Sequence, residues 1–529
     1  MIWEEALATA ASEGMAPTTT PSRIPAAAWY ALFILTVANT LNYADRQIVS
    51  ILAQAIKLDL RLDDADLGFI LGTAFAVFYS VVGIAMGRIS DMLPRKKVMA
   101  FGIALWSTMT ALGGASTNFA MLGAARLGVG VGEAVANPCG HSLVADLFPQ
   151  RNRAVALSLL LTGVFIGQAA ALVIGGWFLQ HWKDVCAVVP FAGACALPGW
   201  KAALFAVGLP GLPVALLLLT IREPHRQQAD RGGTFAILFT EFAAALPPFT
   251  LLMIGREGGQ RALMRNLVLA GLVIAVAGGL MHWTGDRAQW AATGLGFYAI
   301  VTWAQVQSHR DAPLYKLTFG DRTFQTAVSA TALMGTMGGT VAVWSAPYAI
   351  RTFGMAPGKL GAMLAMVNIC GAIIGVISGG LLTDVWKRRD RRAPVGIGAI
   401  AVLGMVPAII FMLNATTPAL FFTGSFILAL FLSFWSGSTA AMVQDLVLPR
   451  MRGSAAAAYS LIAIVVGSGF GPYWAGKVSK MTGSLNSGLL SILVLAPVSL
   501  LLLWLTSRRL PAQTPEARLA IARAAGEPV

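Results

Sequence analysis

Long apolar runs recur along this chain at short intervals, and nothing else limits its fold as strongly. A helix that crosses a bilayer needs roughly 20 consecutive, mostly apolar residues. Twelve strong runs lie near 27–53, 67–89, 97–115, 119–147, 153–180, 200–221, 323–350, 360–385, 394–413, 418–447, 454–476 and 487–506. Two weaker ones lie at 266–283 (NLVLAGLVIAVAGGLMHW) and 290–307 (WAATGLGFYAIVTWAQVQ). Only 12% of the residues are charged and 57% are hydrophobic, with a mean hydropathy of +0.70. Soluble domains carry about 25% charged residues, so the chain reads as an all-α integral membrane protein of about 14 spans. Its net charge of +14 does not point to nucleic acid. The basic residues sit in short loops between apolar runs and form no exposed patch or arm.

The segment 234–254 is apolar but holds Glu241 and the pair Pro247-Pro248. A charge and two prolines in mid-span are costly, so it is expected to lie on the membrane surface. Orientation follows from basic residues, which collect on the cytoplasmic side. With the N-terminus inside and fourteen spans, RKK (95–97), REPHR (222–226) and KRRDRR (387–392) all fall inside. A crossing by 234–254 would flip the second half and expose KRRDRR outside. Residues 1–26 hold Glu4 and Glu5, lack a basic start, and are expected to be a disordered cytoplasmic tail rather than a cleavable signal. Residues 507–529 are expected to form a short polar cytoplasmic tail. Of four cysteines, Cys139 and Cys370 fall in apolar runs as small core residues. Cys186 and Cys195 share one external loop, and their nine-residue spacing permits a bridge without requiring one.

The two halves echo one another. GRISDMLPRKK (87–97) matches GGLLTDVWKRRDRR (379–392): Gly87 stands four residues before Asp91, Gly380 four before Asp384, and a basic run follows each. ADLFPQRNRAVALSL (145–159) matches QDLVLPRMRGSAAAAYSL (444–461), each with Asp, then Pro, then two arginines. The chain therefore divides into a tail (1–26), a six-helix bundle (27–221), a central linker with an interfacial helix and two extra helices (222–322), a second six-helix bundle (323–506) and a second tail (507–529). Transporters are often built from such repeats, with the substrate site near the midplane between them. Gly87 and Gly380 are expected to let neighbouring helices approach closely. Simple positive-inside anchoring explains the basic runs, but neither the Gly-x-x-x-Asp spacing nor its recurrence.

GRISDMLPRKK resembles the cytoplasmic loop signature of the major facilitator superfamily, Gly-x-x-x-Asp-basic-x-Gly-Arg-basic. Met92 replaces a usual basic residue and Pro94 a usual glycine. The resemblance implies a gating role for Gly87, Asp91, Arg95 and Asp384, with Asp91 latching the cytoplasmic gate. LNYADRQIVSIL (41–52), RLGVGVGEAVANP (126–138), LVADLFPQRNRAVALS (143–158) and GWKAALFAVGLPGLPVALLLLTIREPHR (199–226) further resemble the spinster-like branch. That similarity covers about 23–225 strongly and 314–506 more loosely. It implies a carrier of lipid-like amphiphiles of the sphingolipid or lysophospholipid type, with proton coupling.

The intramembrane charges raise the sharpest question. Asp45 and Arg46 lie about 8–10 residues from the outer end of the first span, roughly 12–15 Å deep, and Arg126 about 10 Å deep in the fourth. An Arg126–Asp45 ion pair is therefore reasonable. Seven residues bring Glu133 back onto the face of Arg126, and Asn137 extends that stripe. Asn39, Asn42, Tyr43 and Arg46 share a face of the first span, with Asp45 about 100° away. Each mid-membrane charge costs on the order of 3 kcal/mol, and such residues are functional candidates by default. One reading is a neutral network that only locks the first span to the fourth. The favoured reading gives Asp45 and Glu133 to proton coupling, and Arg46, Arg126, Asn42, Tyr43 and Asn137 to substrate binding. His141, Gln168, Asn368 and Gln444 are weaker cavity candidates.

GVGVGEA (128–134) resembles a nucleotide loop but lies inside an apolar run with no strand before it. No P-loop and no His-Glu-x-x-His occurs, and no nucleophile–base or metal set appears among the intramembrane residues. The chain is therefore expected to be no enzyme and to need no cofactor or metal. The expectation is a monomeric, multi-pass carrier of a cell membrane, the bacterial inner membrane being the natural setting. Its partners are an amphiphilic or anionic small molecule, protons and membrane lipids. The competing substrate is a small organic acid or drug-like compound.

Overall fold

A computed structural model describes residues 24–188, 193–224, 238–240, 242–243 and 246–527; the side chains of Arg88, Asp91, Gln150, Arg151, Ala154, Val466 and Ser468 lie outside that description. Most of the expected tail 1–26 and much of 234–254, Glu241 included, are likewise outside it.

The described chain is helical throughout. The first six long elements are α1 (Ala26–Leu60), α2 (Asp64–Gly68 and Ala74–Met92, joined by a π turn at Phe69–Thr73), α3 (Arg95–Gly114), α4 (Phe119–Glu133 and Ala136–Leu147), α5 (Gln150–Val185) and α6 (Gly199–Gly208 and Gly211–Leu219). Then come α7 (Thr250–Thr284), α8 (Arg287–Arg310) and the short α9 (Ala312–Leu317). The second set is α10 (Arg322–Phe353), α11 (Pro357–Lys387), α12 (Ala393–Leu413), α13 (Pro418–Phe434 and Ser436–Asp445), α14 (Arg452–Ile462 and Phe470–Thr482, joined by a π stretch at Ala463–Gly469) and α15 (Leu485–Ser491 and Leu495–Arg509). A helix at Pro515–Ala524, α16, closes the chain.

Among the described residues, eleven helices are long and apolar enough to cross a membrane, not the expected fourteen. The helices α1, α3 and α8 are 35, 20 and 24 residues long but are not among the eleven. No 18-residue stretch within them is at once apolar enough and poor enough in charge. The weaker run at 266–283 belongs to a longer helix that starts at Thr250 and kinks at Gly259, where φ is +70°. The tail 507–529 is not wholly irregular: α16 packs against α9, with Ala522 fully buried.

Helix α5 lies along α1, where Gly163 and Gly167 bring its backbone against Thr36 and Thr40. In the second bundle α11 lies along α13 in the same manner, with Gly371 and Gly375 against the carbonyls of Phe426 and Leu430. Small residues let backbones meet where lipid supplies no hydrophobic drive. The backbone also shows the repeat: α4 breaks at Ala134–Val135 and α13 at Trp435. Helices α7 and α8 form an added hairpin, stitched by Asn266 Nδ2 to Gln305 Oε1 (2.8 Å) and by Gln305 Nε2 to the Ala262 carbonyl (2.8 Å).

On the face that the charge bias assigns to the outside, the bundles are tied together. Arg351 of α10 donates twice to the Asp64 carboxylate of α2, both at 2.8 Å, and once to Gln54 Oε1 at 2.7 Å. Ser479 of α14 donates to the same Asp64 at 2.6 Å, and Lys480 pairs with Asp63 at 2.6 Å. A cavity of about 740 Å³ lies on the other side of this seal and runs to Asp311 and Arg450 near the cytoplasmic face. A separate cavity of about 650 Å³ is lined by the tie residues themselves, Asp64, Arg351 and Lys480 among them. Cys186 and Cys195 form a disulfide in the external loop.

Candidate functional site

The site begins on α1, whose spacing of three and four residues puts Asn39, Asn42, Tyr43 and Arg46 on one side. That side meets α4. There the helix breaks just after Glu133, which irregular backbone permits at membrane depth only where protein or a cavity covers it. Glu133 and Asn42 are fully buried, Asp45 is 1% exposed and Arg126 5%.

Arg46 Nε donates to Glu133 Oε2 at 2.5 Å, across the two spans. Three rings enclose the same guanidinium: Tyr43 at 4.8 Å, Phe75 at 4.9 Å and Tyr79 at 4.4 Å from its central carbon. Phe75 and Tyr79 stack on one another at 5.3 Å, and Arg126 lies 5.5 Å from the Phe75 ring. A desolvated cation over an aromatic face gains up to about 2 kcal/mol. Asn137 Nδ2 donates to the Tyr79 hydroxyl at 3.0 Å.

The expected Arg126–Asp45 ion pair is not formed. Arg126 Nη1 donates instead to the backbone carbonyl of Asp45 at 3.2 Å. The reason is rotational: the Asp45 side chain leaves α1 on the side away from Arg46, toward Thr110 of α3. It finds no hydrogen bond of good geometry there. One carboxylate oxygen each of Asp45 and Glu133, Nη2 of Arg46, Nε of Arg126 and both polar atoms of Asn42 have no hydrogen-bond partner. Buried polar groups are normally paired, so this quartet of two acids and two arginines keeps spare bonding capacity.

Tyr79 and Asn137 line the 740 Å³ cavity, with His141 and Gly87. Tyr79 thus touches both the cavity and the guanidinium of Arg46, whose side chain is 20% exposed. Gln168 and Asn368 line a second cavity, of about 230 Å³, between α5, α10, α11 and α13.

The loop residues depart further from expectation. A Cβ at Gly87 or Gly380 would meet nothing within 4 Å, so neither makes a close helix approach. In the second bundle the close contact comes one residue earlier, at Gly379 against the Phe434 carbonyl. The side chain of Asp91 is outside the description, and Asp384 is exposed. Arg95 is buried, donating to Glu223 Oε1 (2.9 Å), Asp146 Oδ2 (2.6 Å) and Ser142 Oγ (2.9 Å). Its partners end α4 and follow α6.

Sequence reasoning missed Phe75 and Tyr79, Asp64 with Arg351, and the partners of Arg95. The two rings sit in an apolar run and look like core. The outer pair joins residues 287 positions apart, and only the inter-bundle packing brings them together. Among the described residues, no cluster of His, Cys, Asp and Glu could hold a metal ion.

Comparison with known proteins places this geometry. A family model of the Major Facilitator Superfamily matches residues 35–472. An MFS-type efflux pump of Mycolicibacterium smegmatis is 27% identical over 92% of this chain and 94% of its own length. The sphingosine-1-phosphate transporter SPNS2 of Danio rerio is 27% identical, over only 38% of this chain and 37% of its own. A crystal structure of a bacterial homolog to the human lysosomal transporter Spinster, inward-facing and unoccupied, superposes with a TM-score of 0.67 at 22% identity. That match covers 92% of this chain and 99% of the other; at such identity it speaks for the fold.

Proposed function

Because the chain belongs to the major facilitator superfamily, we propose that it is a proton-linked secondary transporter of amphiphilic, lipid-like molecules, working by alternating access. One observation carries the reading: the Arg46–Glu133 pair, with Glu133 fully buried, is joined to the cavity wall through Tyr79, which packs on Arg46 and lines the cavity. A proton on Glu133 removes the charge that holds Arg46. The freed guanidinium, with its planar fork of donors, then serves an anionic headgroup at the Tyr79–Asn137 edge of the cavity. Substrate that engages Arg46 in turn favours a protonated Glu133, and by linkage the two affinities change by the same factor. Asp45 is the second proton site, beside Arg126. The Asp64–Arg351 tie holds the outer side shut in this state and has to break when the inner side closes. Gly87, Asp91, Arg95 and Asp384 belong to the inner gate on this reading.

The cavity wall supports an amphiphile, since it mixes Ser80, Asn137 and Gln307 with Ile84, Trp303 and Leu461. Similarity to a sphingosine-1-phosphate transporter points the same way. A second reading, a carrier for a small organic acid or drug-like compound, draws on the efflux pump that matches nearly end to end.

The test is uptake into sealed proteoliposomes, with and without an imposed pH gradient, of a lysophospholipid, a sphingosine phosphate and a cationic dye. Wild type is expected to take up a phosphate-bearing amphiphile faster with the gradient, and Glu133→Gln to lose that response. Normal rates and normal gradient response in both Glu133→Gln and Asp45→Asn would overturn the proton assignment. Uptake of the dye alone would favour the second reading.

A further inference from the structure

The added hairpin is more than a peripheral ornament of the twelve-helix plan. Helix α8 is seated in the groove between α2 of the first bundle and α14 of the second. At Gly296 a Cβ would lie 3.2 Å from Val77 Cγ1 on α2 and 3.2 Å from Val465 Cγ1 on α14. A glycine there lets one helix touch both bundles at once. The outer end of α8 is pinned to α14: Asp286 Oδ2 accepts from the Tyr473 hydroxyl (2.8 Å) and from Lys477 Nζ (2.6 Å). Trp290 packs edge-on against Tyr473, ring centres 5.8 Å apart. Toward the inner end, Trp303, Val306, Gln307 and Arg310 line the 740 Å³ cavity.

The two helices of the hairpin divide their environments accordingly. Helix α7 turns Val268, Leu272 and Ile274 outward, 70%, 60% and 71% exposed, as a lipid-facing helix must. Helix α8 is too polar to count among the apolar spans, yet it buries Gln289 and Thr302. A polar helix is tolerable at this depth when protein and a cavity, not lipid, surround it.

Among the described residues, no added helix covers the opposite seam, between α5 and α11. Its close approaches, Gly176 against Pro357 and Gly361 against Leu172, lie in the outer half. Inward of them Gln168 is exposed and, with Asn368, lines the second cavity.

We propose that α8 is a working wall of the substrate cavity. It seals the α2–α14 seam against lipid and supplies Trp303 to the substrate's tail and Gln307 to its polar part. The α5–α11 seam borders only the second, 230 Å³ cavity and serves as the uncovered reference. The substrate part rests on the amphiphile reading above; the seal does not.

Thiol labelling in lipid nanodiscs tests it, in a Cys370→Ala background that removes the exposed free cysteine. Two reporters are compared, Ser460→Cys on the α14 wall and Gln168→Cys on α5. Two probes are used: a charged water-soluble maleimide, and a long-chain alkyl maleimide confined to the bilayer. Ser460→Cys is expected to react with the charged probe, and at least ten-fold more slowly than Gln168→Cys with the bilayer probe. Adding Gly296→Leu, which wedges α8 out of its groove, is expected to raise bilayer labelling of Ser460→Cys at least three-fold. Equal bilayer labelling of the two reporters in unmodified Gly296 protein overturns the seal, whether or not the Gly296 variant folds. Gln307→Leu is expected to raise the KM for the amphiphile at least three-fold with the labelling pattern unchanged; an unaltered KM overturns the contact. Labelling needs no transport, so absent amphiphile uptake with the expected pattern sinks the transport reading and leaves the seal intact.

Discussion

The two halves of the molecule share a plan and differ in where they put charge. By the 293-position offset that relates Asp91 to Asp384, Asp45 and Arg46 fall on Gly338 and Gly339. By the 299-position offset that relates Asp146 to Asp445, Arg126 falls on Ser425 and Glu133 on Leu432. The corresponding places still meet: a Cβ at Gly338 would touch Leu432 Cδ1. The counterparts of Arg46 and Glu133 are Gly339 and Leu432, so the second bundle holds two uncharged residues where the first holds an ion pair. The same asymmetry recurs in the loops. Arg95–Asp146 is a buried pair, with Arg95 2% exposed, whereas Lys387–Asp445 is open, at 41% and 51%. Duplication supplied the scaffold twice, and titratable chemistry settled in one copy. The other copy presents Gly, Met and Leu, an adaptable apolar face for a substrate tail.

That contrast can be attacked from both sides. Its largest expected consequence is at Glu133. Glu133→Gln strands the buried Arg46 charge, and breaking such a pair costs about 3–5 kcal/mol. Thermal unfolding in detergent should show the loss, and Arg46→Gln added to it should restore most of the stability without restoring transport. Leu432→Gln in the second bundle should keep gradient-driven uptake; if it abolishes the gradient response as Glu133→Gln does, the asymmetry is not functional. Next in size, Arg95→Ala removes charged hydrogen bonds to Asp146 and Glu223 and should cost about 2–3 kcal/mol. Lys387→Ala, its exposed counterpart, should cost about 0–1 kcal/mol. Equal losses in the same unfolding assay would erase the distinction between the loops. The smallest effect is expected at the C-terminus. Hydrogen bonds from Arg450 hold the Glu527 carboxyl below its ordinary value of 4.5. A depressed acid stabilises docking above that value, and the contribution is lost as pH falls through the folded-state value. Proteolysis within 513–527 should therefore accelerate at acidic pH in wild type and show no such pH step in Glu527→Gln.

Much of the fold was legible because lipid allows few solutions. Apolar length gave most of the long helices. The repeat motifs suggested two related halves, and the backbone breaks after Glu133 and at Trp435 fall at comparable places in them. The helical period placed Arg46, Glu133 and Asn137 on facing stripes. It also marked Asp45 as turned away from Arg46, yet the expected ion pair with Arg126 did not form, because depth alone does not say which atom of Asp45 is presented. Polar helices such as α8 were faint, since their burial against protein leaves no apolar signature.

By itself the sequence determined the helical, membrane-spanning class, the position of most long helices, and the presence of opposite charges at similar depth in the first and fourth of them. These follow from period, length and composition, which act along the chain. Only the tertiary structure decided that Arg46 chooses Glu133, that Tyr79 packs on Arg46 at the cavity wall, that Asp64 ties to Arg351, and that an added helix fills the α2–α14 groove. Each of those depends on the rotation and separation of helices distant in the chain, set by where glycines and small residues let backbones meet, and no local pattern encodes it.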